Sequence, residues 1–228
     1  MLPYSPIEAI TPATVIYRKK GMTARIPVHS SSTTGTLNSP VPDLHSMDET
    51  SRKVVHLLFG LGLAAAIALI DRPTMLALMV IALFFGFILS DALSRGHHIE
   101  GVSPLVEALE RKSVLPGKGA LLFVFSAFVC LFFFEPKVVV PAVVALAVLD
   151  GVATLAGLRY GRHRIFNGKS VEGTGAGIAA AALVLLLVLP PALALAAAVV
   201  AGLIELVAPV DDNLLIPPCI CLLLTVLS

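Results

Sequence analysis

Charge, tryptophan and cysteine are all scarce in this chain of 228 residues, and each shortage narrows what it can be. Only 14% of the residues are Asp, Glu, Lys or Arg, while 57% are hydrophobic. Soluble domains carry about 25% charged residues, so a water-soluble domain is excluded and an integral membrane protein expected. The formal net charge of +1 leaves no global basic field, and no nucleic-acid partner is expected. With no Trp, any aromatic belt at a membrane surface must draw on few residues. The three cysteines, Cys130, Cys219 and Cys221, all lie in apolar runs. Cys219 and Cys221 resemble half a metal site, but no second pair or His cluster completes it. They read as inert helix thiols. Also missing are the G-x4-G-K-[ST] loop, the protein-kinase signature, the serine-hydrolase elbow and H-E-x-x-H. The classical ATP-binding folds are therefore excluded.

Residues 1–50 are rich in Ser, Thr and Pro, include Ser30-Ser31-Ser32-Thr33-Thr34-Gly35, and show no sustained apolar period. They are expected to be a disordered extension ahead of a transmembrane catalytic domain over 51–228. The stretch has no apolar h-region of a secretory signal. Few acids and several basic residues suit an organelle transit segment. Met47, opening Met-Asp-Glu-Thr, serves equally as a start and is the favoured reading.

Seven apolar segments follow, over 54–70, 74–89, 120–134, 138–157, 176–189, 192–207 and 214–227. Several approach or reach the ~20 residues that span a bilayer core. Turn chemistry separates them: Asp71-Arg72-Pro73, Glu135-Pro136-Lys137, and Pro190-Pro191, which cannot continue one helix. Frequent Gly and Ala (Gly60, Gly62, Ala64, Ala179, Ala196) let helix backbones approach closely. The expected fold is all-α, a polytopic membrane bundle of about seven transmembrane helices. Alternating spans put fourteen of the sixteen Lys and Arg residues on one side and only Arg72 and Lys137 on the other. The positive-inside rule then makes the N-terminus and both long polar loops cytoplasmic. The expected location is the cell membrane, or an ER or plastid membrane in a eukaryote, with the active site on the cytoplasmic face.

The most informative stretch runs from Asp150 through Gly157, Arg159, Gly161, Arg162 and Arg164 to Lys169, Ser170, Glu172 and Gly173. An ionisable group inside an apolar run, as Asp150 is, is expensive and functional by default. Ala153, Thr154 and Gly157 lie three, four and seven residues on, so Asp150 heads a face of small residues that can admit a ligand. Glycines and cations beyond it suit phosphate oxygens, while Asp150 and Glu172 suit Mg²⁺. The plainer reading is a snorkelling juxtamembrane basic loop; the two carboxylates weigh against it.

The pattern D-x2-A-x3-G-x3-G-R…K-S-x-E-G resembles the nucleotide-binding signature of the phosphatidate cytidylyltransferase superfamily. More narrowly, it resembles the CTP-dependent lipid kinase branch: dolichol and polyprenol kinases, phytol kinases and CTP-using diacylglycerol kinases. Arg52-Lys53-Val54-Val55-His56, Pro116-Gly117-Lys118-Gly119-Ala120 and the run from Glu205 through Asp211-Asp212-Asn213 to Pro217 are similar to three further elements of that branch. Together they span most of 52–217. The resemblance implies that Asp150, Gly157, Gly161, Lys169, Ser170, Glu172 and Gly173 hold CTP and its metal, with Lys118, Asp212 and Asn213 completing the site. Cytidylyltransferases usually place Ser-Pro before the lysine; here Asn167-Gly168 precedes Lys169, which favours the kinase branch.

On this reading Asp150, Lys118, Lys169 and His56 are catalytic, and Asp150, Glu172 and Asp212 hold Mg²⁺. Gly157, Arg159, Gly161, Arg162, Lys169, Ser170, Glu172, Gly173 and Asn213 bind the nucleotide. The expected reaction moves the CTP γ-phosphoryl group to a membrane lipid alcohol. The rivals are a CDP-lipid-forming cytidylyltransferase and a non-enzymatic transporter or structural bundle. Arg52, Lys53 and His56 share one helix face; His56 is either an acid–base group or an interfacial His. His97-His98 reads as solvated, Glu107, Glu110, Arg111 and Lys112 as part of an amphipathic helix over 102–112, and Asp91 equally as a further site residue or a helix-end carboxylate.

Overall fold

The computed structural model describes residues 14–19, 22–27, 49–97, 101, 115–165, 169–208 and 210–227. The expected amphipathic helix over 102–112 lies outside these residues, as do His98, Asn167, Gly168 and most of the extension. The chain divides into two units, residues 1–42 and 43–228. In the first, β1 (Thr14–Lys19) pairs antiparallel with β2 (Met22–Pro27), Val15 opposite Ile26. No regular structure was expected there. The run Thr14-Val15-Ile16-Tyr17 is β-branched and aromatic, which favours strand.

The second unit contains seven helices among the described residues: α1 Glu49–Leu69, α2 Arg72–Ser94, α3 Lys118–Phe133, α4 Pro136–Tyr160, α5 Val171–Leu185, α6 Pro191–Val207 and α7 Asp212–Leu227. Each matches one apolar segment. By length and composition, α1, α2 and α4 could cross a membrane; the other four are shorter apolar helices. Helix ends are set by caps more than by hydropathy. Asp71 Oδ2 accepts from Thr74 N at 3.1 Å to start α2. Gly117 takes φ +76°, which a side chain would resist, at the turn into α3. Ser170 caps α5, its Oγ accepting from Gly173 N. Pro190 and Pro191 open α6, where the missing N–H groups cost nothing. Helix α1 starts five residues before the apolar run, because Glu49 and Arg52 form a 2.8 Å ion pair one turn apart.

Helix α4 is the axis of the bundle and packs against every helix except α2. Its Val139, Ala142, Val143, Leu146 and Leu149 are fully buried. Two of its crossings rely on glycine. A Cβ on Gly60 of α1 would lie 2.5 Å from Ala147 Cβ, and one on Gly177 of α5 only 2.9 Å from Leu149 O. The outer surface is strongly apolar: Phe84, Phe85, Leu187 and Val226 are exposed.

Contacts at the helix ends show how the chain reverses. At one end Lys53 of α1 meets Asp150 of α4, and Lys118 of α3 approaches Asp211 before α7. At the other, Arg72 of α2 donates to the last carbonyls of α3, Leu131 and Phe132.

Candidate functional site

Three carboxylates from three helices converge at the first of these ends. Asp150 comes from the second half of α4, Glu205 from the final turn of α6 and Asp212 from the first turn of α7. One oxygen of each lies within 4.8 Å of the others. Asp150 and Glu205 are buried, Asp212 half-buried. Carboxylates drawn together out of water must be paired or bind a cation.

Two lysines do the pairing. Lys53 Nζ donates to both oxygens of Asp150, at 2.8 and 2.7 Å. Lys169 Nζ lies 3.0 Å from Glu205 Oε1 and 3.0 Å from Asp212 Oδ2. Burial pulls the Lys169 pKa down, but Asp212 and Glu205 outweigh it. The net shift is upward, so the ammonium stays charged. This contact also settles a point of topology. The loop after α4 and the start of α7 lie at the same end of the bundle.

A cavity of about 400 Å³ opens beside the cluster. Asp150, Ala153, Thr154 and Gly157 line one wall, the small-residue face of α4. Lys53, Arg164, Lys169, Ser170, Thr174, Glu205 and Asp212 complete much of the rest. Among the described residues, the buried side-chain polar atoms lacking a hydrogen bond are His56 Nε2, Thr174 Oγ1, Glu205 Oε2 and Asn213 Oδ1. Thr174 and Glu205 line the cavity. His56 Nε2 is 3.7 Å from Asp150 Oδ2 and stacks near Phe123, with Asn213 beside it. Buried groups left unsatisfied cost about 1–3 kcal/mol each, and their collection at one place makes this the candidate site.

The expected site residues divide into three sets. Asp150, Asp212, Lys169, Ser170 and Gly157 all line the cavity. His56 and Asn213 border the carboxylates, while Lys118 lies further out, half-exposed, with Nζ 3.6 Å from Asp211 Oδ2. The others point elsewhere. Gly161 and Gly173 serve packing: a Cβ on either would come within 3 Å of Ser170 Oγ. Arg159 lies over the Tyr160 ring, and Arg162 offers its backbone N–H to Glu172.

Glu172 itself is a correction. Its carboxylate meets His163 Nδ1 at 2.6 Å rather than joining Asp150 and Asp212. Ser170 and Thr174, four apart, share the cavity face, and helix period turns Glu172 away from it. Glu205 takes the third place. Its signal was present in the sequence: a lone carboxylate inside an apolar run, the argument already applied to Asp150. Lys53 was noted only for its helix face shared with His56 and within the element from Arg52 to His56, not as a partner of Asp150.

No family model matches the chain, and no solved structure matches it. Over 134 residues it is 31% identical to an uncharacterized protein of Methanocaldococcus jannaschii. That stretch is 56% of this chain and 65% of the archaeal protein, so the chain spans just under two thirds of the length of this curated relative.

Proposed function

We propose that the chain is a multi-pass membrane protein whose seven helices all span the bilayer, with the N-terminus and the carboxylate end in the cytoplasm. We further propose that it transfers the γ-phosphoryl group of CTP to the hydroxyl of a membrane lipid alcohol. Polyprenol or dolichol is the first-ranked acceptor, then phytol-type prenols, then diacylglycerol. The observation that carries this reading is the convergence of Lys53, Asp150, Lys169, Glu205 and Asp212 from five chain segments around one cavity. Resemblance to CTP-dependent lipid kinases supplies the nucleotide and the reaction. The fourteen-to-two division of basic residues supplies the orientation.

The donor set suits Mg²⁺. Its ligands are all hard carboxylate oxygens, and Glu205 Oε2 has no other partner. Asp150, Glu205 and Asp212 would hold the ion, which when bound offsets charge on the phosphate oxygens. The rest falls to the chain's own side chains. Lys169 and Lys118 neutralise the triphosphate, and Thr174 offers a hydroxyl to it. A carboxylate of the cluster, or His56 Nε2 beside Asp150, accepts the proton of the lipid hydroxyl. The hydroxyl oxygen bonds the γ-phosphorus as the bond to the β-phosphate oxygen breaks, and CDP departs. A lipid hydroxyl sits at headgroup depth, where a soluble nucleotide can also reach.

Purified protein in detergent, given CTP, Mg²⁺ and a panel of lipid alcohols, should place label from [γ-³²P]CTP in the lipid. Asp150→Asn should lower that rate by roughly 10²–10³-fold while expression is kept. Lipid labelled from the α-phosphate would instead identify a CDP-lipid synthase. Neither lipid product nor nucleotide binding would leave a transporter or structural bundle.

A further inference from the structure

The cations in the cluster stand against the carboxylates that a divalent ion needs. Both Asp150 oxygens accept from Lys53 Nζ, and that ammonium repels an ion approaching the same carboxylate. Lys169 holds one oxygen of Glu205 and one of Asp212 in the same way. Octahedral Mg²⁺ with bonds of about 2.0–2.1 Å sets its oxygens about 3–4 Å apart. One oxygen of each carboxylate lies within 4.8 Å of the others, near enough for small side-chain shifts to gather them around such an ion.

The partners differ in freedom to move. The carboxylate side chains of Asp150 and Glu205 are 6% and 2% exposed, and each is fixed to a packed helix. The Lys53 and Lys169 side chains are 22% and 27% exposed and end in flexible stems. Both line the cavity in which phosphate would lie. When one side of an ion pair must yield, the lysines yield.

We propose that Lys53 is an exchange cation: it neutralises Asp150 in this structure and moves onto a phosphate oxygen as a divalent ion takes the carboxylates, with Lys169 moving alongside. This rests on the metal–nucleotide reading above and adds a regulation to it. Metal alone would have to draw Lys53 off Asp150 with no phosphate to receive it. Triphosphate gives the displaced lysine a new partner. Metal and nucleotide thus bind cooperatively, and the coupling runs through Lys53. By linkage each ligand tightens the other by the same factor.

The test is Mn²⁺ binding to the full-length protein in detergent, read from the electron paramagnetic resonance of free Mn²⁺, with and without CTP and with no lipid acceptor. In the wild type, CTP should tighten Mn²⁺ by about tenfold or more. Lys53→Met should bind Mn²⁺ about tenfold tighter than wild type without CTP, and CTP should then add several-fold less than it does in wild type. A Lys53→Met protein in which CTP tightens Mn²⁺ by the wild-type factor overturns the exchange, leaving Lys53 as an ordinary ion pair. Lys53→Arg covers the case in which the methionine variant fails to fold. Its guanidinium grips a carboxylate with two parallel bonds, so Mn²⁺ without CTP should weaken by several-fold; unchanged affinity overturns the proposal. Wild-type protein that binds no Mn²⁺ even with CTP sinks the metal–nucleotide reading itself, a different result from either of these.

Discussion

The two ends of the helical unit are built from opposite materials. At one, Lys53, Asp150, Lys169, Glu205 and Asp212 form ion pairs of 2.7–3.0 Å around a cavity. At the other, the described helix connections are tight, and the polar interactions are modest. Arg72 donates to two carbonyls, Asp71 caps α2, and Lys137 pairs with Glu135 in the open. Between them α4 runs as a nearly continuous apolar core until Asp150 interrupts it. The difference shows where the chain spends stability. Burying carboxylates and leaving polar atoms without partners costs free energy, and among the described residues the cavity end bears that cost. The described polar contacts of the opposite end cap helices and tie turns.

The largest effect should come from breaking the cavity end at the carboxylate that separates it from its surroundings. Glu205→Gln keeps the shape but removes a charge shared with Lys169 and an oxygen available to a cation. Lipid phosphorylation should fall about a hundredfold or more. Glu172→Gln, altering an exposed pairing with His163, should cost only a few-fold. The two rates, measured side by side at saturating CTP, decide which acid belongs to the cluster. Equal losses would return Glu172 to it.

How far this division could be read from the sequence depends on the kind of signal. All seven helices were legible, because apolar runs broken by Pro and Asp leave little choice about where helices begin. Asp150 and its face at residues 153, 154 and 157 were legible for the same reason, since helix period converts spacing directly into a shared face. The partners of Asp150 were harder. Glu205 lies 55 positions away in sequence, and only the packing of α6 beside α5 brings it to Lys169. Glu172 was misassigned because proximity along the chain was taken as proximity in space. The glycines at 161 and 173 carried the same ambiguity. A glycine that cradles phosphate and one that lets two helices touch look alike until the neighbour is known.

Those touching helices offer a second way to sharpen the contrast, now through stability. Gly175 and Gly177 both lie in α5, and a Cβ at Gly175 would meet nothing within 4 Å. A Cβ at Gly177 would come 2.8 Å from Ala153 Cβ and 2.9 Å from Leu149 O, one of which is backbone and cannot yield. Gly177→Ala should therefore destabilise by about 1–3 kcal/mol as α5 is pushed off α4. Gly175→Ala should stabilise by up to about 1 kcal/mol, because alanine loses less entropy in a helix. Thermal unfolding in detergent reads both. Because α5 carries Thr174 at the cavity, Gly177→Ala should also slow the reaction. A variant that is destabilised but fully active would show the cavity to be insulated from this crossing.

The smallest effect belongs to the opposite end. Arg72 Nε donates to Leu131 O at 2.9 Å and Nη2 to Phe132 O at 2.7 Å, filling acceptors that the end of α3 leaves open. Leu131 is fully buried and Phe132 exposed, so water can replace the second bond far more readily than the first. Arg72→Ala should then cost about 1 kcal/mol, the net worth of one hydrogen bond that solvent does not restore. Arg72→Lys, which can reach one carbonyl but lacks the fork to hold both, should recover part of that loss. Activity in the alanine variant should match wild type, since no residue of the cavity touches this turn. A fall in rate comparable to that of Glu205→Gln would mean that the two ends are mechanically coupled through α3, and the division between a folding end and a chemical end would fail.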